Sequence, residues 1–233
     1  MKEYHKNPSR TEYFETQIAR SRAKFPYCKV SCAHVQAWKR IITEDHRVME
    51  NTEGPILCLG TRNGREVDLF RSVFYLNEFT SYIMCLTEIR RYGWDSRFPL
   101  IESIGRSSIE QINEDSVIGV EINPDAKRRD VFVGSFDDMP LDWTDTFRIL
   151  YSNSFDQSQN PHETAREWIR VLKDGGIAIL GFSEAEPSPT DPVGNLSYKD
   201  FVELFPGELI YYNKYGSNYS DIIIKVTEDE SRN

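Results

Sequence analysis

Residues 56–64, Ile-Leu-Cys-Leu-Gly-Thr-Arg-Asn-Gly, constrain the fold more than any other stretch of the chain. Four apolar residues read as a short buried strand. Gly60 and Gly64 bracket a tight turn that opens a helix from Glu66 to about Asn77. Glycine lacks a Cβ, so the backbone at such a turn can approach a ligand closely. The helix behind it directs its free N–H groups back at the turn, where polar or anionic groups are favoured.

The pattern downstream repeats this unit. Strands are expected at Val117–Glu121, Val131–Val133, Phe147–Asn153 and Ile177–Phe182. A helix over Pro161–Lys173 is well marked: Asn160 can cap it, Pro161 takes its first position, Glu163 completes a capping pattern, and Gly175-Gly176 end it. Ala165, Trp168, Ile169 and Leu172 give that helix one apolar face. Strand–helix–strand alternation implies a parallel sheet covered on both faces with right-handed crossovers. The last two strands, Gly207–Lys214 and Tyr219–Val226, flank Tyr215-Gly216-Ser217-Asn218, which reads as an antiparallel hairpin loop. Ahead of all this, two helices at about Arg10–Lys24 and Cys32–Met49 form an N-terminal helical extension, residues 1–53, with the main domain at 54–233.

The 233 residues carry a formal net charge of −9, with 39% hydrophobic and 12% aromatic residues. That composition fits a globular protein and argues against a nucleic-acid backbone as partner, which calls for a basic surface. Arg20, Arg22, Lys24 and Lys29 form either a local basic patch or a solvated helix face. No apolar run approaches the ~20 residues of a membrane span, and the polar first residues offer no signal peptide. Cys28, Cys32, Cys58 and Cys85 are few and irregularly spaced, as suits reduced thiols in a cytoplasmic protein. Cys28, Cys32 and His34 fit no standard zinc spacing, and no metal site is expected.

Three strand ends carry the chemistry. Glu121 closes its strand where doubly wound sheets place an acceptor for ribose hydroxyls; the other reading is a surface carboxylate. Phe136 and Asp137 follow the next strand, where a ring can stack on adenine and a carboxylate can accept from its amine, or where an ordinary solvated turn can lie. Asn153, Ser154 and Asp156 follow the fourth strand. Polar side chains at the end of a buried strand cost stability unless paired or used, so they either line a reaction site or form Asx turns.

These blocks together resemble a class I, Rossmann-like S-adenosylmethionine-dependent methyltransferase. The resemblance runs from Gly54 to Val226 through Leu57–Gly64, Gly119–Pro124, Gly134–Pro140 and Trp168–Gly176, the last a helix ending Leu-Lys-Asp-Gly-Gly before a strand. It implies an α/β fold: a seven-stranded, mostly parallel sheet with an antiparallel last strand and helices on both faces. It implies S-adenosyl-L-methionine as cofactor. Gly60, Thr61, Arg62, Asn63 and Gly64 would cradle its methionine part, Glu121 with Ile122 would hold the ribose, Phe136 and Asp137 would frame the adenine, and Asn153 and Ser154 would lie near the methyl group. The stretch Gly-Thr-Arg-Asn-Gly-Arg-Glu is similar to methyltransferases of glycan assembly, which points to O-methylation of a sugar, glycan or other small molecule; a protein or nucleic-acid acceptor, or cofactor binding without catalysis, are the alternatives.

The departures are specific. Cys58 stands where the family has an acidic residue, Arg62 replaces a glycine, and Gln157 stands where related chains have histidine. Asp156 and His162 are then the candidate proton acceptors, with Ser154 beside them as a third catalytic candidate. Glu121 also follows Gly60 by far more than the usual interval of roughly 20 residues. An insertion at about 78–114, with Tyr92 and Trp94, is expected to contain helix.

Overall fold

A computed structural model describes residues 1–4, 9–25, 27–44, 54–76, 113–216 and 219–227. The bulk of the expected insertion at 78–114, with Cys85, and the last five residues of the expected helix Cys32–Met49 lie outside the described residues.

In chain order the elements are β1 (Lys2–Glu3), α1 (Arg10–Ala23), α2 (Cys32–Glu44), β2 (Ile56–Leu59), α3 (Arg65–Tyr75), β3 (Val117–Glu121), β4 (Val131–Val133), β5 (Phe147–Ser152), α4 (Pro161–Val171), β6 (Leu172–Ser183), β7 (Val193–Gly194), α5 (Tyr198–Leu204), β8 (Gly207–Tyr215) and β9 (Tyr219–Val226). Seven strands form one sheet in the order β4-β3-β2-β5-β6-β9-β8. β2, β3, β4, β5 and β6 run parallel, and β9 lies antiparallel between β6 and β8. The expected architecture, including the antiparallel last strand, is the observed one.

Side-chain alternation along β2 divides the core in two. Leu57 and Leu59 face a layer built from Trp168 of α4 and Phe201 of α5, whereas Ile56 and Cys58 face Trp38 of α2 and Phe70 of α3. Helices therefore cover both faces, and each fully buried large side chain contributes roughly 1.5–3 kcal/mol. The N-terminal helices are part of this body: Val35, Trp38 and Ile42 of α2 are buried in the second layer. The Trp38 indole N–H donates to Asp221 of β9 at 2.5 Å, which pins α2 across the sheet.

The pairing of α3 with β3 rests on charge. Arg71, 3% exposed, donates to Asp130 at 2.7 Å and to the Val117 carbonyl at 2.8 Å. Arg128 grips both oxygens of Asp68 and also Asp130. Burial opposes ionisation of Asp130, yet Arg128 and Arg71 hold its carboxyl below the usual range. Cys28 and Cys58 are buried thiols outside any disulfide, and burial pushes the Cys58 thiol up. Cys32 is disulfide-bonded, which corrects the expectation that all the cysteines are reduced thiols.

Trp168 connects core to edge. It is fully buried, packs edge-to-face on Phe136 and Phe155, and donates its indole N–H to the Phe136 carbonyl at 3.1 Å. Trp168→Ala should lower stability by about 3–5 kcal/mol in urea unfolding. A loss below about 1 kcal/mol would mean that this layer repacks without it.

Candidate functional site

The strand order reverses between β2 and β5, and open α/β sheets bind ligands at the carboxyl ends of strands beside such a switch point. The turn after β2 lies there. Gly60 and Gly64 have φ of 73° and 76°, and Arg62, a non-glycine residue, is held at 49°. A Cβ on Gly60 would come within 2.5 Å of the Ser154 hydroxyl, so the close approach of the β2 and β5 ends requires glycine. The strained Arg62 backbone is fixed by its N–H, which donates to Glu121 Oε2 at 2.7 Å.

Glu121 is 3% exposed and is the centre of the arrangement. Besides Arg62, it accepts from the Asn123 backbone N–H at 3.0 Å and from the Ser21 hydroxyl at 2.9 Å, both on Oε1. Next along the edge, Asp137 accepts from the Thr164 hydroxyl at 2.5 Å and from Ser135 at 3.5 Å. Burial raises the Asp137 carboxyl despite these donors. The Ser154 hydroxyl donates to Asn153 Oδ1 at 3.3 Å.

These residues line two neighbouring cavities. The first is a narrow slot of about 40 Å³ bounded by Gly60, Arg62, Glu121, Ile122, Phe136, Asp137 and Ser154. The second, of about 530 Å³, is bounded by Asn153, Asp156, Tyr27, Lys29 and the loop after β6. Arg20, Arg62 and Gln157 belong to both. Asp156 Oδ1 is buried with no hydrogen-bond partner. Burial, reinforced by the charge of Asp191 and opposed by Arg20, Lys29 and Arg62, pushes the Asp156 carboxyl up to about 7.

Nine of the thirteen residues singled out in the sequence thus border a cavity. Thr61, Asn63, Gly64 and His162 do not. The Thr61 side chain is fully buried against Gly119 of β3. Asn63 Oδ1 caps the Arg65 N–H at 3.1 Å, and His162 is exposed on the first turn of α4. Gly64 touches neither cavity but supplies the left-handed residue that starts α3.

α1 is the part the sequence reading missed. Tyr13, Gln17 and Ser21 recur every four residues as a buried polar stripe, and with Phe14 and Arg20 they roof the slot. Gln17 donates to the Thr190 carbonyl at 2.6 Å, Arg20 pairs with Asp191, and the Tyr13 hydroxyl donates to the Gln157 carbonyl. The available signal was the lack of any apolar stripe on the helix expected at about Arg10–Lys24, since a helix polar on all sides needs polar partners to bury against.

Glu66 lies under the turn, 2% exposed, its carboxyl pushed up to about 7 by burial. Its charge also acts on the Cys58 thiol, so a carboxyl does lie beside this turn although position 58 lacks one. Among the described residues no helix is long and apolar enough to cross a membrane.

No family model and no curated protein matches the sequence. Solved structures do. The 1,6-didemethyltoxoflavin-N1-methyltransferase of Burkholderia thailandensis, with bound 1,6-didemethyltoxoflavin and S-adenosylhomocysteine, matches at a TM-score of 0.51 and 10% identity, over 95% of this chain and 92% of that one. The [4+2]-cyclase SpnF matches at 0.51 and 12% identity, over 97% of each chain. At such identities the likeness speaks for architecture alone: the chain has the Rossmann-like methyltransferase fold.

Proposed function

We propose that this chain is an S-adenosylmethionine-dependent methyltransferase acting on a hydroxyl of a small molecule, a sugar or glycan included. The observation that carries the reading is Glu121: a buried carboxylate at the end of β3, beside a glycine turn, that already accepts a hydroxyl at 2.9 Å. The Ser21 hydroxyl occupies the kind of position a ribose hydroxyl would take, so the donor set fits the cofactor. The slot is narrow with α1 in place, so entry of the cofactor requires Ser21 and its neighbours to part from Glu121.

When bound, S-adenosylmethionine supplies an electrophilic methyl group on a sulfonium. In this reading Gly60 lets the chain close on the methionine end, Glu121 accepts the ribose hydroxyls, and Asp137 with Phe136 frames the adenine. Asn153 and Ser154, at the adjoining strand end, orient the acceptor, since alignment supplies much of the acceleration for such a displacement. Asp156 accepts the proton of the acceptor hydroxyl; its unpartnered oxygen and a pKa of about 7 suit a base at neutral pH. His162, exposed and outside both cavities, has no part in it.

A second reading, cofactor binding in the service of another reaction, is favoured by the cyclase among the fold neighbours. A methyl-donor consumption assay against sugars, glycans and small phenols separates the two. Methyl transfer to some acceptor supports the first, and donor binding without turnover on any acceptor supports the second.

With an accepted substrate, kcat/KM should rise with pH and level off above about 7, as Asp156 loses its proton. Asp156→Asn should abolish that rise and lower the rate by about 10²–10⁴-fold. A variant of wild-type rate would remove Asp156 from the chemistry. Stability should move the other way. The folded-state pKa lies above the ordinary value of 3.8, so the stability present below about pH 4 is lost progressively up to about pH 7. Asp156→Asn should therefore melt higher than wild type at pH 8, by about 2–4 °C for each kcal/mol relieved, and level with it near pH 4.

A further inference from the structure

α4 contributes more to the slot than its apolar face. Thr164 and Trp168 stand one turn apart on it, and both are buried. Trp168 donates its indole N–H to the Phe136 carbonyl at 3.1 Å, and the Thr164 hydroxyl donates to Asp137 Oδ1 at 2.5 Å. One helix thereby fixes both residues that border the slot after β4. A buried hydroxyl is costly where valine would fill the same volume, unless it is hydrogen-bonded. Threonine in a helix commonly returns its hydroxyl to the carbonyl four residues back. That of Thr164 goes to Asp137, and the Asn160 carbonyl receives the Thr164 backbone N–H at 2.9 Å.

The carboxylate sets the direction of the hydrogens. An ionised carboxylate only accepts, so the single Thr164 hydroxyl hydrogen points at Asp137. The Ser158 hydroxyl, fully buried 2.6 Å from the Thr164 oxygen, is then the donor of that pair. Ser158, Thr164 and Asp137 form a buried chain in which each bond polarises the next. It ends on Oδ1. Oδ2 has a contact of 3.5 Å to the Ser135 hydroxyl, at the limit of a hydrogen bond, so the remaining acceptor capacity of Asp137 lies there. Burial raises the Asp137 carboxyl, the Thr164 hydrogen bond is the largest influence opposing it, and the charges of Arg10 and Glu167 act in opposite directions.

We infer that Thr164 is a positioning residue for the cofactor's base: backed by Ser158, it holds Asp137 as an acceptor at the slot, so that the site selects a ring with an exocyclic amine over one with a carbonyl. The inference rests on the S-adenosylmethionine reading, in which Asp137 meets the adenine. An amine donates to the carboxylate, whereas a carbonyl oxygen in its place sets one acceptor against another. Without the Thr164 hydroxyl, Asp137 stays buried with its strongest donor gone. The neutral acid, an O–H donor, is then favoured, and the choice between the two rings is lost.

The test is calorimetric titration of the full chain with S-adenosylhomocysteine and with S-inosylhomocysteine, which carries a carbonyl in place of the amine. Wild type is expected to favour the first by about tenfold or more, as for one hydrogen bond to a charged acceptor. In Thr164→Val that ratio should fall to within about threefold, and Thr164→Ser, which keeps the hydroxyl, should restore it. Glu121→Gln should weaken both ligands alike and leave the ratio intact. Should Thr164→Val fail to give a dispersed amide spectrum, Ser158→Ala is read in its place; it removes the donor behind Thr164 and should lower the ratio in part. A wild type without preference, or a folded Thr164→Val that keeps the full ratio, even with both affinities lowered, overturns the inference and leaves the cofactor reading standing. No binding of either ligand to wild type overturns both together.

Discussion

The site depends on one buried carboxylate. Glu121 accepts from the Arg62 N–H, the Asn123 N–H and the Ser21 hydroxyl, and so ties the glycine turn, the loop after β3 and α1 to a single point. A carboxylate this buried is tolerable only because its charge is met by donors. Without it, the Arg62 N–H loses the hydrogen bond that holds it at φ 49°, and α1 loses its deepest polar anchor. The same demand for donors makes the position apt for a ligand rich in hydroxyls.

The remainder of the fold positions that point. The apolar strands β2 and β5 bring Gly60 against Ser154, and the ion-pair network of buried Arg71 and half-buried Arg128 fixes α3 behind the turn. On the opposite layer, Trp168 carries Phe136 to the slot through both ring packing and a hydrogen bond. The hydrophobic layers are generic to such sheets; the polar edge is where this chain is individual. Arg62 and Lys29 belong to that edge, each lying over an aromatic ring.

Much of the architecture was legible because β2, β3 and β4 are short, apolar and punctuated, and because α4 carries its cap, its proline and its apolar face in the sequence. Their limits match the expectation within a residue or two at each end. Short α5 was not seen, since the seven residues Tyr198–Leu204 give too brief a period to read. The strand-end residues Glu121, Phe136, Asp137 and Asn153 were legible for a topological reason: a parallel sheet sends all its carboxyl ends to one edge. His162 illustrates the limit. Its nearness in sequence to Asp156 suggested a shared site, but as the second residue of α4 it turns to solvent. Ser21 shows the converse, reaching Glu121 across a hundred residues through tertiary packing that no local pattern encodes.

The fold does not choose the reaction, as a methyltransferase and a cyclase of the same architecture make plain. What the account asserts first is a cofactor held through Glu121, and binding tests that directly. Isothermal titration with S-adenosylhomocysteine should show one site per chain, and Glu121→Gln should weaken it by about 1.5–3 kcal/mol, roughly ten- to a hundredfold. No heat of binding to the wild-type protein, or equal affinity in the variant, would contradict the account.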